Sequence, residues 1–287
     1  MVTDILTSLH NNMASFSKGQ KRIAAFIEAN YDKAAFMTAN KLGKMVNVSE
    51  STVVRFAVEL GFDGYPSMQK ALQDMVRNKL TSVQRIEVTN DRFGNQDVVQ
   101  KVLRSDMESI RMTSESLDRG VLNGAVDAII RARHIYIVGV RSSEALALYL
   151  NFYFRNIFDN VRLVTSTATS EMMEQMHHVC ADDVVIGISL PRYSTRTVKL
   201  MEFARDRGAR VVVITDSVDA PAARSASHIL VTKSDMVSVV DSLVAPMSLI
   251  NALIVMISRK KEQEISKTFE NLEKIWQEYE VYERVEP

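Results

Sequence analysis

Hydroxyl side chains follow two of the apolar runs in the C-terminal half of this chain. Serine and threonine hydroxyls at a helix N-terminus, together with its free backbone N–H groups, bind phosphate. Two such turns at neighbouring strand ends would form one pocket for a phosphate dianion, with Arg141 and Arg192 adding positive charge. Ser142 and Ser194 could instead be only the N-caps that helices need. The candidate ligand residues are Ser142, Ser143, Ser189, Arg192, Ser194 and Thr195.

A second chemical pattern lies on a helix that is predicted to begin after Ser49. Ser49 stands where an N-cap would be, and Gly61 stands where a left-handed residue would close the helix. Between them, one apolar face is formed by Val53, Phe56, Ala57 and Leu60, and the opposite face carries hydroxyls and Arg55. The preceding predicted helix, residues 38–46, is separated from Ser49 only by Asn47 and Val48. This short connection is typical of a helix-turn-helix unit.

The polar face of this helix could read DNA. An arginine near the start of a recognition helix can donate two hydrogen bonds to guanine, which discriminates against other bases by about 1–3 kcal/mol. Nearby lysines would contact phosphates and add affinity without sequence information. The alternative is an ordinary capped helix whose polar side faces water. The candidate DNA-binding residues are Lys41, Ser49, Ser51, Thr52, Arg55 and Lys70.

Two further sets of residues carry reactive groups without suitable partners in the sequence. His177, His178 and Cys180 have metal-ligand atoms, but adjacent histidines point to different sides of a helix and no further cluster follows. We therefore predict no metal site. An aldose–ketose isomerase would need a positioned general base. Glu144 and Glu171 are the carboxylates nearest the predicted strand ends, and neither has an identifiable proton-relay partner, so we predict no catalysis and no cofactor.

The elements that would position these residues differ between the two parts of the chain. Up to about residue 80, apolar residues recur at helical spacing and no strand is predicted. Later, short β-branched runs alternate with helical segments, which indicates a buried parallel sheet with helices on both faces. Between them, residues 81–96 are polar and aperiodic, so we predict an all-α domain at 1–80, a linker at 81–96 and an α/β domain at 97–287. The predicted strands are residues 135–138, 161–164, 184–188, 211–214 and 228–231.

The composition fits a two-domain intracellular protein. The chain has 287 residues, and single hydrophobic cores seldom grow beyond roughly 250 residues. Residues 1–85 hold 11 Lys and Arg against 7 Asp and Glu, whereas the remainder holds 24 against 28, which hints at a nucleic-acid contact in the N-terminal part. Cys180 is the single cysteine, which fits a reducing cytoplasm. We expect no membrane span and no secretory signal, because no apolar run is long enough and no cationic stretch precedes one near Asp4.

Two motifs give the N-terminal part a family resemblance. Residues 48–56 read Val-Ser-Glu-Ser-Thr-Val-Val-Arg-Phe, and residues 60–65 read Leu-Gly-Phe-Asp-Gly-Tyr. With them the chain resembles RpiR-type transcriptional regulators over nearly its whole length. The C-terminal half is similar to the sugar isomerase (SIS) domain, a three-layer α/β fold with a five-stranded parallel sheet. The resemblance implies a homodimer or homotetramer that binds double-stranded DNA, regulates sugar or amino-sugar genes and responds to a phosphorylated sugar.

The resemblance also suggests roles for the hydroxyl residues, and this chain departs from the family at two places. Arg141 stands where a small residue, often glycine, is usual, and Pro191-Arg192 stands where a Ser-Gly pair is usual. These arginines could compensate for a missing serine or fill the pocket. The residues that match the SIS pattern are Ser142 and Ser143 in the first turn, Ser189 at the end of the third strand, and Ser194 at the start of the next helix.

The sequence is therefore compatible with three functions. We prefer a DNA-binding regulator that responds to a phosphosugar and that, as a two-fold dimer, recognises an inverted-repeat operator. An aldose–ketose phosphate isomerase could use the same pocket, but its N-terminal reader would then be unexplained. A regulator whose SIS domain serves only for oligomerisation, with Arg141 and Arg192 closing the pocket, is the third.

Overall fold

The structure, a computed structural model, describes residues 5–79, 81–93 and 97–283. The chain divides into two compact units. The N-terminal unit contains Met1–Val102 together with Met236–Asp241, and the C-terminal unit contains Leu103–Asp235 and Ser242–Pro287. Within the described part of the chain, no helix is long and apolar enough to cross a membrane.

Helices build the N-terminal unit, as the apolar spacing predicted. Ser17, Thr38 and Ser49 each accept a hydrogen bond from a backbone N–H of the helix that follows. These caps satisfy donors that the first helical turn leaves without an intrahelical partner. The apolar faces of the helices meet in one buried core. The helices are α1 (Ile5–Asn12), α2 (Lys18–Ala29), α3 (Tyr31–Ala34), α4 (Ala39–Met45), α5 (Glu50–Glu59), α6 (Tyr65–Lys79) and α7 (Ser82–Phe93).

The predicted α/β fold of the C-terminal unit is confirmed. Five parallel strands form one sheet in the order β2-β1-β3-β4-β5, with helices on both faces. Alternate residues of β1 pack on opposite faces of the sheet. Ile135 and Ile137 belong to the core cluster on one face, and Tyr136 and Val138 belong to the cluster on the other. The strands are β1 (Ile135–Gly139), β2 (Val161–Val164), β3 (Val184–Ile188), β4 (Arg210–Thr215) and β5 (His228–Val231). The helices are α8 (Val98–Ser116, which begins in the N-terminal unit), α9 (Arg119–Ile130), α10 (Ser143–Ile157), α11 (Thr169–Gln175), α12 (Thr195–Asp206), α13 (Val244–Lys260) and α14 (Glu262–Glu278).

A buried carboxylate anchors the start of β3 beside the start of β1. Asp183 is fully buried and accepts hydrogen bonds from the Arg133 guanidinium at 2.8 and 2.9 Å. The backbone N–H groups of His134 and Cys180 also donate to it, at 3.1 and 2.9 Å. Burial alone would raise the pKa of Asp183, but the bonds from Arg133 and Cys180 outweigh it and lower that pKa to about 2. The carboxylate therefore stays ionised and ties the two strands in register.

Most of the segment assigned to a linker at 81–96 is helical, since Ser82–Phe93 form α7. A capping box that the sequence analysis overlooked begins this helix: the Gln84 backbone N–H donates to the Thr81 hydroxyl at 3.3 Å, and the Thr81 N–H donates to the Gln84 side chain at 3.0 Å. Residues 94–96 lie outside the described residues. The helix also depends on a distant part of the chain, which the local sequence does not reveal.

That distant part is a short hairpin that follows the parallel sheet in sequence but belongs to the N-terminal unit. Strands β6 (Met236–Val237) and β7 (Val240–Asp241) pair antiparallel, and the Met236 side chain joins the N-terminal core. Arg85 of α7 is only 1% exposed and donates from one terminal nitrogen to both Asp241 carboxylate oxygens at 3.0 Å. A buried guanidinium needs such a counter-charge, because removing it from water is costly.

We expect Asp241→Asn to destabilise the N-terminal unit by about 3 kcal/mol, because it leaves the buried Arg85 charge uncompensated. Urea unfolding followed by circular dichroism measures the change. The matched control is Asp206→Asn, whose carboxylate pairs with Arg205 at the exposed surface and whose loss should change the free energy of unfolding by less than about 1 kcal/mol. Equal stabilities of the two variants would contradict the role of the Arg85–Asp241 pair.

Candidate functional site

A cleft of about 590 Å³ lies at the carboxyl ends of the first three strands. Strand β1 has β2 on one side and β3 on the other, so the connections that leave β1 and β2 run in opposite directions along the sheet. Such a switch point leaves a crevice outside the strand ends, where α/β proteins bind ligands. The cleft is lined by Gly139, Val140, Arg141, Glu144, Thr165, Ser166, Thr167, Arg192, Tyr193, Ser194, Thr195 and Arg196.

The structure brings some of the predicted ligand residues to this cleft and leaves others outside its lining. Arg192, Ser194 and Thr195 line it. Ser194 also caps α12, since its hydroxyl accepts a hydrogen bond from the Arg196 backbone N–H at 3.3 Å. Ser194 can therefore cap α12 and at the same time line the cleft where a ligand would bind.

The other three predicted serines do not line the cleft. Ser142 is exposed in the turn before α10 and makes no side-chain capping bond to the helix. Ser143 is 5% exposed and Ser189 is 2% exposed. Among the described residues the buried Ser189 hydroxyl has no hydrogen-bond partner, which is unusual for a buried polar group.

A third hydroxyl turn, which the sequence analysis missed, completes the lining. Thr165, Ser166 and Thr167 follow β2 and line the cleft. The Ser166 hydroxyl donates to the Glu171 carboxylate and accepts from the Ala168 N–H at 3.0 Å, which holds this turn in place. The signal was present in the sequence, because residues 165–170 read Thr-Ser-Thr-Ala-Thr-Ser directly after a predicted strand.

Positive charge dominates the cleft. Arg141, Arg192 and Arg196 line it with a single carboxylate in that lining, Glu144, which accepts a hydrogen bond from the Thr165 hydroxyl at 3.4 Å. The cleft stays open with both unusual arginines in place, so they do not fill it. Hydroxyls and guanidinium groups around one crevice are suited to hold an anion such as a phosphate.

Two of these arginines have left-handed backbone conformations. The φ angle is 58° at Arg141 and 65° at Arg192, a region that costs a residue with a Cβ atom about 1–2 kcal/mol. Glycine would adopt it without that cost, which agrees with the small residue that the resemblance leads one to expect at the Arg141 position. Strained residues of this kind concentrate at binding sites, where surrounding structure holds them.

The predicted recognition helix in the N-terminal unit is α5. Its Val53, Phe56 and Ala57 are fully buried, which fixes the helix against the core. Ser49 caps it by accepting a hydrogen bond from the Thr52 N–H at 3.3 Å. Of the candidate DNA-binding residues, Thr52 is half-buried and the exposed ones are Lys41, Ser49, Ser51, Arg55 and Lys70.

The turn between α4 and α5 depends on close backbone packing. Asn47 has a φ of 58°, and the Val48 N–H donates to the Gly43 carbonyl at 2.9 Å. A Cβ atom on Gly43 would lie 2.8 Å from the Val48 carbonyl oxygen, so this position has no room for a side chain. The two helices are therefore held in one fixed arrangement by a turn that only glycine at position 43 permits.

Hydrogen bonds orient the polar residues of α5. The Arg55 Nε donates to the Ser51 carbonyl at 3.3 Å, which directs the guanidinium along the outer face of the helix. At the helix start, the Asn40 side chain donates to Glu50 at 3.1 Å. At its end, the Gln20 side chain donates to Glu59. The outer face thus presents Ser51 and Arg55 between two tethered carboxylates.

Comparison with known proteins also finds two domains in this chain. The helix-turn-helix domain model of the rpiR family matches residues 3–79, and the SIS domain model matches residues 128–256. The HTH-type transcriptional regulator HexR of Escherichia coli is 29% identical over 78% of this chain and 76% of its own length. An uncharacterized HTH-type transcriptional regulator of Clostridium perfringens is 25% identical over 76% of this chain and 77% of its own length.

Two solved structures share the fold. The sugar isomerase domain of an RpiR transcription factor from Sphaerobacter thermophilus aligns with a TM-score of 0.60 and 26% identity, over 62% of this chain and 99% of that domain. The NanR protein of Vibrio vulnificus, solved in complex with ManNAc-6P, aligns with a TM-score of 0.60 and 20% identity, over 96% of this chain and 98% of NanR. With both domain models matched in this order, the chain belongs to the RpiR family of HTH-type transcriptional regulators with a SIS domain.

Proposed function

We propose that this protein is a DNA-binding regulator of sugar or amino-sugar genes whose operator affinity changes when a phosphorylated sugar binds the cleft. The observation that carries the proposal is the combination, on one chain, of an exposed recognition helix and an open, arginine-lined cleft at the switch point of a SIS sheet. An effector that binds two states differently typically supplies about 1–3 kcal/mol of coupling. That range is sufficient to change operator occupancy markedly.

The proposed reader uses two kinds of contact. Ser51 and Arg55 would face the bases, with the Arg55 guanidinium donating to guanine in the major groove. Ser49 and Thr52, whose hydroxyls are 2.8 Å apart, would lie with the N-terminus of α5 near the phosphate backbone. Lys41 and Lys70 would contact phosphates and make binding depend on salt concentration.

The proposed effector is an anionic sugar derivative. The turns after β2 and β3 offer hydroxyl donors without formal charge, and Arg192 and Arg196 add charge beside Ser194 and Thr195. The buried, unpaired hydroxyl of Ser189 and the neighbouring Ser142 and Ser143 would join the site through small movements of the first and third turns. The complex of NanR with ManNAc-6P supports the choice of phosphorylated sugars as the first class to test.

We propose that two copies act together in the cytoplasm, either as a homodimer or as half of a homotetramer. Leu148 and Phe152 lie one turn apart on α10 of the C-terminal unit and are 51% and 63% exposed, an apolar pair that a second copy could cover. Paired recognition helices would meet successive major grooves about 34 Å apart, so the operator should be an inverted repeat.

An isomerase is the second candidate, because Glu144 lies in the cleft where a general base could act. Two observations favour the regulator. The related proteins in the comparison are named transcriptional regulators, and no histidine is among the residues that line the cleft. Steady turnover of any aldose or ketose phosphate by the purified protein would establish catalysis instead.

We expect Arg55→Ala to weaken binding to a selected operator by about 5- to 150-fold, because a bidentate arginine–guanine contact contributes about 1–3 kcal/mol. Fluorescence anisotropy with operator and scrambled duplexes measures this loss, which should be absent on scrambled DNA. Lys70→Ala is the control. Loss of its phosphate contact should weaken binding to both duplexes and reduce the salt slope by about 1. An unchanged operator affinity of the Arg55 variant would refute the assignment.

We expect at least one phosphorylated sugar to raise the melting temperature of the full-length protein, because a ligand that binds only the folded state stabilises it. Saturation at 100 times the dissociation constant corresponds to about 2.7 kcal/mol. The matched control is the unphosphorylated form of each sugar, which should have no effect. If no sugar phosphate changes the melting temperature, the sensor role loses its support and the purely oligomeric role of the SIS domain gains it.

Two substitutions at Arg141 separate the effect of its positive charge on binding from the effect of its left-handed backbone on stability. Arg141→Ala and Arg141→Gly both remove the guanidinium and should weaken effector binding to the same extent. The glycine variant should be more stable than the alanine variant by about 1 kcal/mol, because alanine retains the strained left-handed backbone. Calorimetric titration and urea unfolding measure the two effects. Equal stability of the variants would contradict the strain, and unaltered effector affinity in both would place Arg141 outside the binding contacts.

A further inference from the structure

The outer face of α5 carries two exposed valines that the DNA-binding assignment does not use. Val54 is 39% exposed and Val58 is 55% exposed, whereas the neighbouring Val53 is fully buried. They lie four positions apart, so they occupy adjacent turns of one helix face. Single apolar side chains at a surface are common, but a pair at this spacing forms a small continuous apolar patch.

The valine pair lies on the same side of α5 as the proposed base-reading residues. Ser51, Arg55 and Val58 are spaced at i, i+4 and i+7, which places them on a single stripe opposite the buried Val53, Phe56 and Ala57. Val54 lies at the edge of that stripe, one turn from Ser51 and from Val58, and about 100° around the helix from Arg55. A partner that lies along the stripe from Ser51 to Val58 would therefore meet Val58 beside Arg55 and reach Val54 at the edge of the stripe.

Local stability does not account for two valines at these positions. Valine is a weaker helix former than alanine, lysine or glutamate, because its branched side chain loses rotamer freedom in a helix. Exposed valines also contribute nothing to the core. An apolar partner that covers them offers the physical reason for their presence.

We propose that Val54 and Val58 read thymine through its C5-methyl group. The major groove presents a distinct donor and acceptor pattern for each base pair, and the thymine methyl is its apolar contact group. The helix-turn-helix exposes three basic side chains, Lys41, Lys44 and Arg55, against the carboxylates of Glu50 and Glu59, which accept hydrogen bonds from Asn40 and Gln20. This net positive charge suits DNA better than an uncharged protein partner. The inference rests on the proposed DNA-binding function and adds that each half-site contains thymine adjacent to the base that Arg55 contacts.

The test isolates a single methyl group. Duplexes that bind the full-length protein are first selected from random-sequence DNA, and each thymine of the selected site is then replaced by deoxyuridine, which lacks only the C5-methyl. Replacement at one or two positions per half-site should weaken binding about fourfold each, as expected for the loss of one buried methyl. Val54→Ala or Val58→Ala should bind the thymine and deoxyuridine duplexes equally, while retaining the preference for guanine that depends on Arg55.

The controls separate failure of this inference from failure of the proposed function. Alanine favours the helix, so these variants should fold, and Val218→Ala, at a 62% exposed valine of the C-terminal unit, should keep the full methyl effect. A methyl effect that is absent in the wild type, or that persists in both α5 variants, overturns the inference alone. A changed oligomeric state of those variants in sedimentation, with no altered methyl effect, assigns the valines to a contact between copies and also overturns it. Failure to select any DNA sequence would overturn both proposals.

Discussion

The candidate cleft depends on the parallel pairing of β1 with β3. Their register places Gly139 opposite Ile188 at the carboxyl ends, so the turns that follow both strands leave the sheet side by side. Because β2 lies on the other side of β1, the turn after β2 reaches the same edge from the opposite direction. A Cβ atom on Gly139 would lie 2.6 Å from the Ser143 carbonyl oxygen, so the absence of a side chain there lets α10 begin directly above the strand.

Both units hold a turn that presents exposed polar groups, and both use a glycine to do so. In each, a glycine allows two backbone segments to approach closely, and polar residues with left-handed φ angles stand in the turns beside it: Asn47 near Gly43 in the helix-turn-helix, and Arg141 near Gly139 in the cleft. The rigid packing below each turn supports these conformations. The exposed groups, the α5 side chains in one case and the cleft arginines in the other, are thereby presented on fixed backbones rather than on loose loops, which limits the entropy lost on binding.

Elements with a local chemical cause were predictable from the sequence. The caps at Thr38 and Ser49, and the buried β-branched strands around Val185 and Val212, follow from side-chain chemistry within a few residues. The left-handed backbone of Arg192 has no signal in the residue itself, because arginine rarely adopts it, and only the glycine that the resemblance leads one to expect at that position points to it. The lining residues of the turn after β2 had a readable hydroxyl signal that was overlooked, whereas the ligand roles predicted for Ser142, Ser143 and Ser189 stay predictions.

Pairing between distant residues marks the limit of that reasoning. Nothing near Arg85 indicates that its partner is Asp241, 156 positions later. Without that partner, the sequence of α7 reads as a polar, aperiodic stretch and was assigned to a linker. The same holds for the burial of Met236 in the N-terminal core. Tertiary contact decides the burial of Met236, and at α7 it adds to the local capping box of Thr81 and Gln84.

The hairpin of β6 and β7 means that the two units are not consecutive pieces of chain. The polypeptide leaves the N-terminal unit after Val102, returns to it for Met236–Asp241 and leaves it again. A fragment cut after Val102 would keep the Arg85 guanidinium without its carboxylate and a core that lacks one methionine. The complementary fragment would carry an unsupported apolar hairpin. Exchange of the N-terminal unit between two such chains at a single point would therefore separate residues that fold together, and a chimera that keeps the unit intact has to carry both segments.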